Sequence, residues 1–142
     1  MNSVLEHIHS IRITIDFGLV VLIWMVQLII YPGFTFYKDS DLLKWHKYYL
    51  PRISFVVAPL MFIQLAIAIY LSVFEFSLLN FIYSLLVLST WISTFLYFVP
   101  LHQKIEDNID LKISATKLIS INWVRTFQWT FIFIYGLFLF TS

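Results

Sequence analysis

The sequence predicts an all-α integral membrane protein, a four-helix bundle with antiparallel, up-and-down topology. Its composition is 61% hydrophobic and only 12% charged, whereas about a quarter of the residues in soluble domains are charged. The chain also contains four apolar stretches that approach or exceed the roughly 20 residues needed to cross a bilayer. These predicted spans cover about 13–37, 53–74, 78–99 and 122–140. With their connections they fill the chain, so residues 1–142 are predicted to form a single domain.

The first two spans differ in how they begin. The first stretch, 13–37, is interrupted by Asp16 near its start and Gln27 near its middle, and Pro32 and Gly33 are expected to loosen its last turn. A polar segment, 38–52, precedes the second span and is predicted to form a short amphipathic helix that leads into it. That span ends in a tight connection at 75–77.

The last two spans are separated by the longest polar connection, 101–121, which follows Pro100. Within this connection Ser114 is a candidate N-cap for a helix that continues into the fourth span. No small-residue cleavage site follows the first apolar stretch, so the first span is expected to remain in the mature protein.

Basic residues predict the orientation of the bundle. One predicted side of the membrane carries eight of the nine Lys and Arg residues, and the other carries only Arg12. By the positive-inside rule the basic side faces the cytoplasm, which places both termini on the non-cytoplasmic side. The eight are Lys38, Lys44, Lys47, Arg52, Lys104, Lys112, Lys117 and Arg125.

Composition excludes several kinds of site. The chain has no cysteine, so it cannot form a disulfide, a zinc–thiolate centre or an iron–sulfur cluster from its own residues. Its net charge of +1 gives no indication of a nucleic-acid partner. The predicted partner is the lipid bilayer, with a homo-oligomer or a larger membrane complex as further hypotheses.

Polar and aromatic residues on the predicted cytoplasmic half indicate a ligand pocket. Helical spacing places Gln27 beside Tyr31 on span one, and Asn122, Arg125 and Trp129 along one stripe of span four. Polar groups inside a membrane are costly and are by default functional candidates. The structural alternatives are an Arg125 that extends to lipid phosphate and glutamines that only join helices. The predicted ligand-binding residues are Gln27, Tyr31, Gln64, Trp91, His102, Asn122, Arg125 and Trp129.

Two histidines raise the hypothesis of haem b. His46 and His102 are the only histidine pair predicted on the same side of the membrane, and two imidazoles can ligate haem iron in a helical bundle. If the helix continues through Pro51, His46 and Gln64 face the same direction, because 18 residues are five turns. The alternative for both histidines is an ordinary interfacial position.

Four segments carry a resemblance to a widespread family of small bacterial inner-membrane proteins with four helices and no assigned activity. They are WMVQLIIYPGF at 24–34, KYYLPRISFVVAPLMFIQL at 47–65, WISTFLYFVPLHQKI at 91–105 with its VP-x-H motif, and INWVRTFQW at 121–129 with its NW-x-RT-x-x-W motif. The resemblance implies a multi-pass protein of the bacterial inner membrane. A looser similarity connects the chain to small haem-binding membrane protoporphyrinogen oxidases.

These observations support three classes of function. The leading hypothesis is a binding protein whose pocket holds a small amphiphilic or aromatic molecule, such as a lipid, a quinone or a porphyrin, with Arg125 and Asn122 at its polar end. The second is a haem-binding oxidoreductase that uses His46 and His102. The third is a structural subunit of a larger membrane complex, suggested by the 28 aromatic residues: 15 Phe, 8 Tyr and 5 Trp.

Overall fold

The computed structural model describes the backbone of residues 2–141 and the side chains of residues 4–140. This part of the chain consists of four long helices and short connections. Helix α1 comprises an α-helix at Asn2–Met25, a π turn at Val26–Ile30, a helical turn at Tyr31–Gly33 and a 3-10 turn at Phe34–Phe36. Helix α2 is Asp39–Phe74. Helix α3 comprises Leu78–Ser93, a π turn at Thr94–Phe98 and Val99–Glu106, and helix α4 is Leu111–Thr141.

Each of these helices is long and apolar enough to cross a membrane, over Val4–Phe36, Asp39–Phe74, Leu78–Glu106 and Leu111–Phe140. Many large apolar side chains on their outer surfaces are exposed, including Phe36 and Phe55 at more than 80%. In water such a surface would favour aggregation, whereas in a bilayer the lipid tails cover it. The fold is therefore that of a multi-pass membrane protein.

The helices extend beyond the spans expected from hydropathy. The expected amphipathic lead-in at 38–52 and the second span form one continuous helix, α2, that includes Pro51 and Pro59. The expected connection at 101–121 is reduced to residues 107–110, where Asn108 and Asp110 have positive φ angles of 57° and 46°. Asn and Asp tolerate this conformation better than most residues.

The expectation that Ser114 is an N-cap is corrected. Helix α4 begins three residues earlier, at Leu111, and Ser114 lies inside it, with its Oγ donating to the carbonyl of Ile109 at 3.3 Å. An N-cap would instead accept a hydrogen bond from a backbone N–H of the first turn. Ser77 does so for α3, accepting from Asn80 N at 3.1 Å.

The four helices surround an apolar core. Helix α1 contacts α2 and α4, and α3 also contacts α2 and α4. Leu19 and Ile23 of α1, Val87 of α3 and Ile132 of α4 are among the most deeply buried core residues. Packing of this kind fixes the relative rotation of the helices, and so it fixes which polar residues meet.

Both π turns precede a proline. The π turn of α1 ends at Ile30, two residues before Pro32, and the π turn of α3 ends at Phe98, two residues before Pro100. Proline has no N–H to donate to the carbonyl four residues earlier, and its ring crowds that carbonyl. In each helix a π turn replaces the α-helical hydrogen-bond pattern just before the proline. Such turns are frequent at functional sites.

Candidate functional site

A cavity of about 410 Å³ lies between α2 and α3, with residues of α1 and α4 at its base. Its volume is within the roughly 300–1,000 Å³ of small-molecule sites. Its wall is mainly apolar and aromatic: Leu22, Ile23, Val26, Tyr31, Tyr49, Leu50, Ile53, Ser54, Val57, Ala58, Met61, Phe62, Trp91, Thr94, Phe95, Phe98, Val99, His102, Gln103, Glu106, Arg125 and Trp129. The predicted residues Tyr31, Trp91, His102, Arg125 and Trp129 are among them.

The side of the cavity between α2 and α3 has few polar contacts. Hydrogen bonds join these two helices at His46–His102 and around Ser84, which contacts Ser72 and the carbonyl of Ala68. Between these points Phe62 and Trp91 make a ring contact at 5.0 Å.

Three buried N–H groups in the cavity wall have no hydrogen-bond partner within the described residues. They are Nε of Arg125 and the indole Nε1 atoms of Trp91 and Trp129. Most buried polar groups in proteins are paired, and leaving one unpaired costs about 1–3 kcal/mol. Three residues of the cavity wall thus each carry a donor that has no partner among the described residues.

Arg125 is directed into the bundle and is only 8% exposed. Its guanidinium lies between two rings, 4.3 Å from the centroid of Phe98 and 4.7 Å from that of Trp129. No carboxylate within the described residues forms a salt bridge with it. Cation–π contacts are worth about 0.5–2 kcal/mol each, whereas taking a charge out of water costs several kcal/mol. The two ring contacts alone do not offset the cost of burying this charge. The buried position also differs from the alternative of an Arg125 that extends to lipid phosphate.

His46, His102 and Tyr31 form a hydrogen-bonded chain at one end of the cavity. His46 Nε2 is 2.8 Å from His102 Nδ1, and His102 Nε2 is 3.0 Å from the hydroxyl of Tyr31. The chain joins α2, α3 and α1. If Tyr31 donates to His102, then His102 carries its proton on Nδ1 and donates to His46; the opposite direction satisfies the same contacts. The two histidines expected on one side of the membrane are thus in direct contact.

This arrangement does not fit haem ligated by His46 and His102. The two facing ring nitrogens are at hydrogen-bond distance, and each nitrogen of His102 has a side-chain partner. An iron atom needs an imidazole nitrogen whose lone pair is free to coordinate it. The contact between the two rings therefore leaves no place for haem iron at this pair.

Gln27 and Asn122 are buried beside the cavity but are not part of its wall. Asn122 Nδ2 donates to Gln27 Oε1 at 2.9 Å, and Gln27 Nε2 donates to the carbonyl of Ile119 at 3.3 Å. Their contacts join α1 to α4, which is the structural alternative considered for mid-span glutamines. This differs from the expectation that both residues face a ligand.

Gln64 is also outside the cavity, and its expected position is corrected. It is buried on the same face of α2 as His46, as five helical turns require, but 18 residues at 1.5 Å each separate the two by about 27 Å along the axis. That distance is close to the thickness of the hydrocarbon region, about 30 Å. The spacing of the two residues correctly predicted that they share a face of α2. It does not place them at the same depth in the bundle.

Gln64 instead belongs to a second buried polar group, which we call the Asp16 cluster: Arg12, Asp16, Gln64, Tyr83 and Gly136. Asp16 Oδ1 accepts from Gln64 Nε2 at 2.6 Å, and the Tyr83 hydroxyl is within 3.1 Å of both Asp16 oxygens. Arg12 Nη2 donates to the carbonyl of Gly136 at 2.7 Å. The four side chains are at most 1% exposed, so the cluster connects all four helices in the interior.

The Asp16 cluster was not expected from the sequence. Arg12 and Asp16 are four residues apart, a spacing that places them on one helix face, and this was the available signal. Tyr83 and Gly136 carried none, because an isolated Tyr or Gly in an apolar stretch usually has a packing role.

No family model, curated protein or solved structure matches this chain. The function is therefore inferred from the site alone.

Proposed function

We propose that this protein binds a small amphiphilic or aromatic molecule in the cavity between α2 and α3. The observation that carries the proposal is that three residues of a mainly apolar cavity wall, Arg125, Trp91 and Trp129, each carry a buried donor without a partner among the described residues. Ligand sites in proteins have this character: a mainly apolar wall with a few polar groups that orient the ligand. An apolar tail would lie along Ile53, Val57 and Met61, and the polar end would lie near Arg125.

The proposed bundle is antiparallel, with both termini on the non-cytoplasmic side. Contacts support this topology, because the end of α1 meets the start of α2 and the end of α3 through Tyr31, His46 and His102, whereas Asp16 meets Gln64 and Tyr83. The charge asymmetry supports the sidedness, since eight of nine Lys and Arg residues fall on the side proposed to be cytoplasmic. The cavity would then open into the inner leaflet.

We further propose that the chain belongs to the family of small four-helix proteins of the bacterial inner membrane that it resembles. The NW-x-RT-x-x-W motif that suggested this includes Arg125 and Trp129, and the VP-x-H motif includes His102. Four of the residues in these motifs, Val99, His102, Arg125 and Trp129, thus line the cavity, which supports a shared role in ligand binding.

Native mass spectrometry of the purified protein, released from a mild non-ionic detergent, tests the binding proposal. We expect a bound organic molecule on the wild-type protein. Ala58 lines the cavity and Ala66 is an exposed alanine of the same helix outside it, so Ala58→Trp should fill the cavity and Ala66→Trp is the matched control. The proposal predicts loss of the bound molecule with Ala58→Trp alone. Equal retention by both variants, or an empty wild-type protein that binds no amphiphile, would contradict it.

A further inference from the structure

The charges around the cavity bear on which ligand it accepts. Arg125 is the only Lys or Arg side chain in the cavity wall, and it has neither a carboxylate nor a hydrogen-bond partner on Nε among the described residues. A buried cation without a counter-ion is among the costliest arrangements in a protein interior. A ligand that supplies the missing negative charge removes this cost.

The indole of Trp129 bears on the same question. Its ring centroid is 4.7 Å from the guanidinium of Arg125, and its unpaired Nε1 can only donate a hydrogen bond, as can a guanidinium. An amine head group would place donors against these donors. A carboxylate or phosphate accepts from both, and such charge-assisted bonds are the stronger ones. Trp91 is seven residues before Phe98, about 10 Å along α3, so it lines the cavity away from the head group.

One carboxylate lies in the cavity wall, and its position limits where the ligand charge can sit. Glu106 is eight residues after Phe98, the residue of α3 that contacts Arg125, so it is about 12 Å further along the helix. An anion beside Glu106 would be repelled, whereas an anion at Arg125 is separated from it by more than two turns. The head group therefore has one favourable position.

We propose that the ligand is an anionic amphiphile whose acceptor-only head group, a carboxylate or a phosphate, binds Arg125 and the indole of Trp129. This inference rests on the proposed binding function and adds the charge of the ligand. The chain of the amphiphile extends along the apolar wall formed by α2 and α3. Carboxylate and phosphate share the chemistry that the site recognises, and the experiment distinguishes them.

The test uses quenching of tryptophan fluorescence by brominated chains, because Trp91 and Trp129 lie in the cavity wall. The full chain in non-ionic detergent is titrated with 9,10-dibromostearate, with its methyl ester, and with a lysophosphatidate that carries the same dibrominated chain. We expect the methyl ester to bind about tenfold or more weakly than the better of the two anions. The stronger anion identifies the head group as carboxylate or phosphate.

Variants of Arg125 test whether this residue causes the preference for anions over the ester. Arg125→Gln should remove most of the difference between the anion and the ester, and Arg125→Lys should retain part of it, because a lysine keeps the charge without the planar guanidinium. Arg52→Gln is the matched control: Arg52 is exposed, stacks on Tyr48 and is not in the cavity wall, so the preference should persist. If the Arg125 variants do not fold, the comparison of ester and anion on the wild-type protein still decides whether the site requires an anionic ligand.

Three outcomes would overturn the inference. One is equal affinity of the wild-type protein for the ester and the anions, which would leave the proposed binding function standing and remove the charge requirement. Another is an anion preference that Arg125→Gln leaves intact. The third is competition by acetate or inorganic phosphate at the same concentrations as the chain-bearing anions, which would exclude an amphiphile. Binding of no chain at all would instead contradict the proposed function.

Discussion

The backbone of Gly136 lies so close to Asp16 that a Cβ atom at position 136 would be 3.1 Å from Asp16 Oδ2. It would also be 3.8 Å from Arg12 Nε. The missing side chain therefore provides the space in which the charged groups of the Asp16 cluster fit between α1 and α4. In α1 itself, Gly18 has no atom within 4 Å of the corresponding position, so the two glycines form a natural comparison.

We expect Gly136→Ala to lower the free energy of unfolding, and Gly18→Ala to raise it. Replacing a helical glycine by alanine normally stabilises by about 0.5–1 kcal/mol, and at Gly18 nothing opposes that gain. At Gly136 the methyl group has to displace a buried carboxylate. Thermal unfolding of both variants in the same detergent measures the effects; equal stabilisation by the two substitutions would show that Asp16 can move away without cost.

Removing the amide of Gln64 should destabilise the bundle through Asp16. Gln64→Leu takes away the 2.6 Å hydrogen bond and leaves a buried carboxylate with one side-chain donor fewer, at an expected cost of about 1–3 kcal/mol. Gln103→Leu is the control, since the hydrogen bonds of Gln103 to Asp107 are exposed and worth little. Chemical unfolding in detergent should separate the two variants, and similar small losses would contradict this account of the cluster.

His46 and His102 should be energetically coupled. In a double-mutant cycle of His46→Phe and His102→Phe, the second substitution should cost less than it does alone, because the hydrogen bond is already lost. Contacting residues typically couple by about 0.5–3 kcal/mol. The pair Gln64→Leu and His102→Phe, at distant positions, is the additive control. If the effects of His46→Phe and His102→Phe are also additive, the contact between the two imidazoles contributes nothing to stability.

Replacing Arg125 by methionine should stabilise the ligand-free protein while removing its preference for anions. A buried charge without a counter-ion is destabilising, and an apolar side chain of similar volume avoids that cost, so we expect a gain of about 1 kcal/mol or more. Arg52→Met removes an exposed charge and should change stability little. Unfolding after removal of bound amphiphile provides the measurement. A large loss of stability with Arg125→Met would indicate that this residue has mainly a structural role.

The helices and their apolar character could be predicted from the sequence, because hydropathy directly reflects the solvent around each residue. The ends of the helices could not be predicted in this way. Hydropathy marks only the part of a helix inside hydrocarbon, and the polar continuations 39–52 and 111–121 are helical because one face of each packs on the bundle. Leu42 and His46 in the first of these, and Leu118 in the second, are almost fully buried.

For the candidate site, spacing along one helix predicted which side chains share a face. It placed Arg125 and Trp129 on one stripe of the fourth span, and both line the cavity. What spacing could not supply is the depth at which faces of different helices meet. Gln64 illustrates this: it donates to Asp16, 48 residues earlier, which also accepts from Tyr83, and only the packing of three helices brings these residues together.

The two π turns have a consequence for chain length. A π turn accommodates one residue more than an α-helical turn without changing the direction in which the flanking segments face. Deleting one residue from Thr94–Phe98 should therefore leave Trp91 and His102 on the same side of α3, whereas deleting one from Leu78–Ser93 would rotate part of the helix by about 100°. Homologues that are one residue shorter at either π turn can retain the same cavity, and an ungapped alignment would pair their histidine with the wrong position.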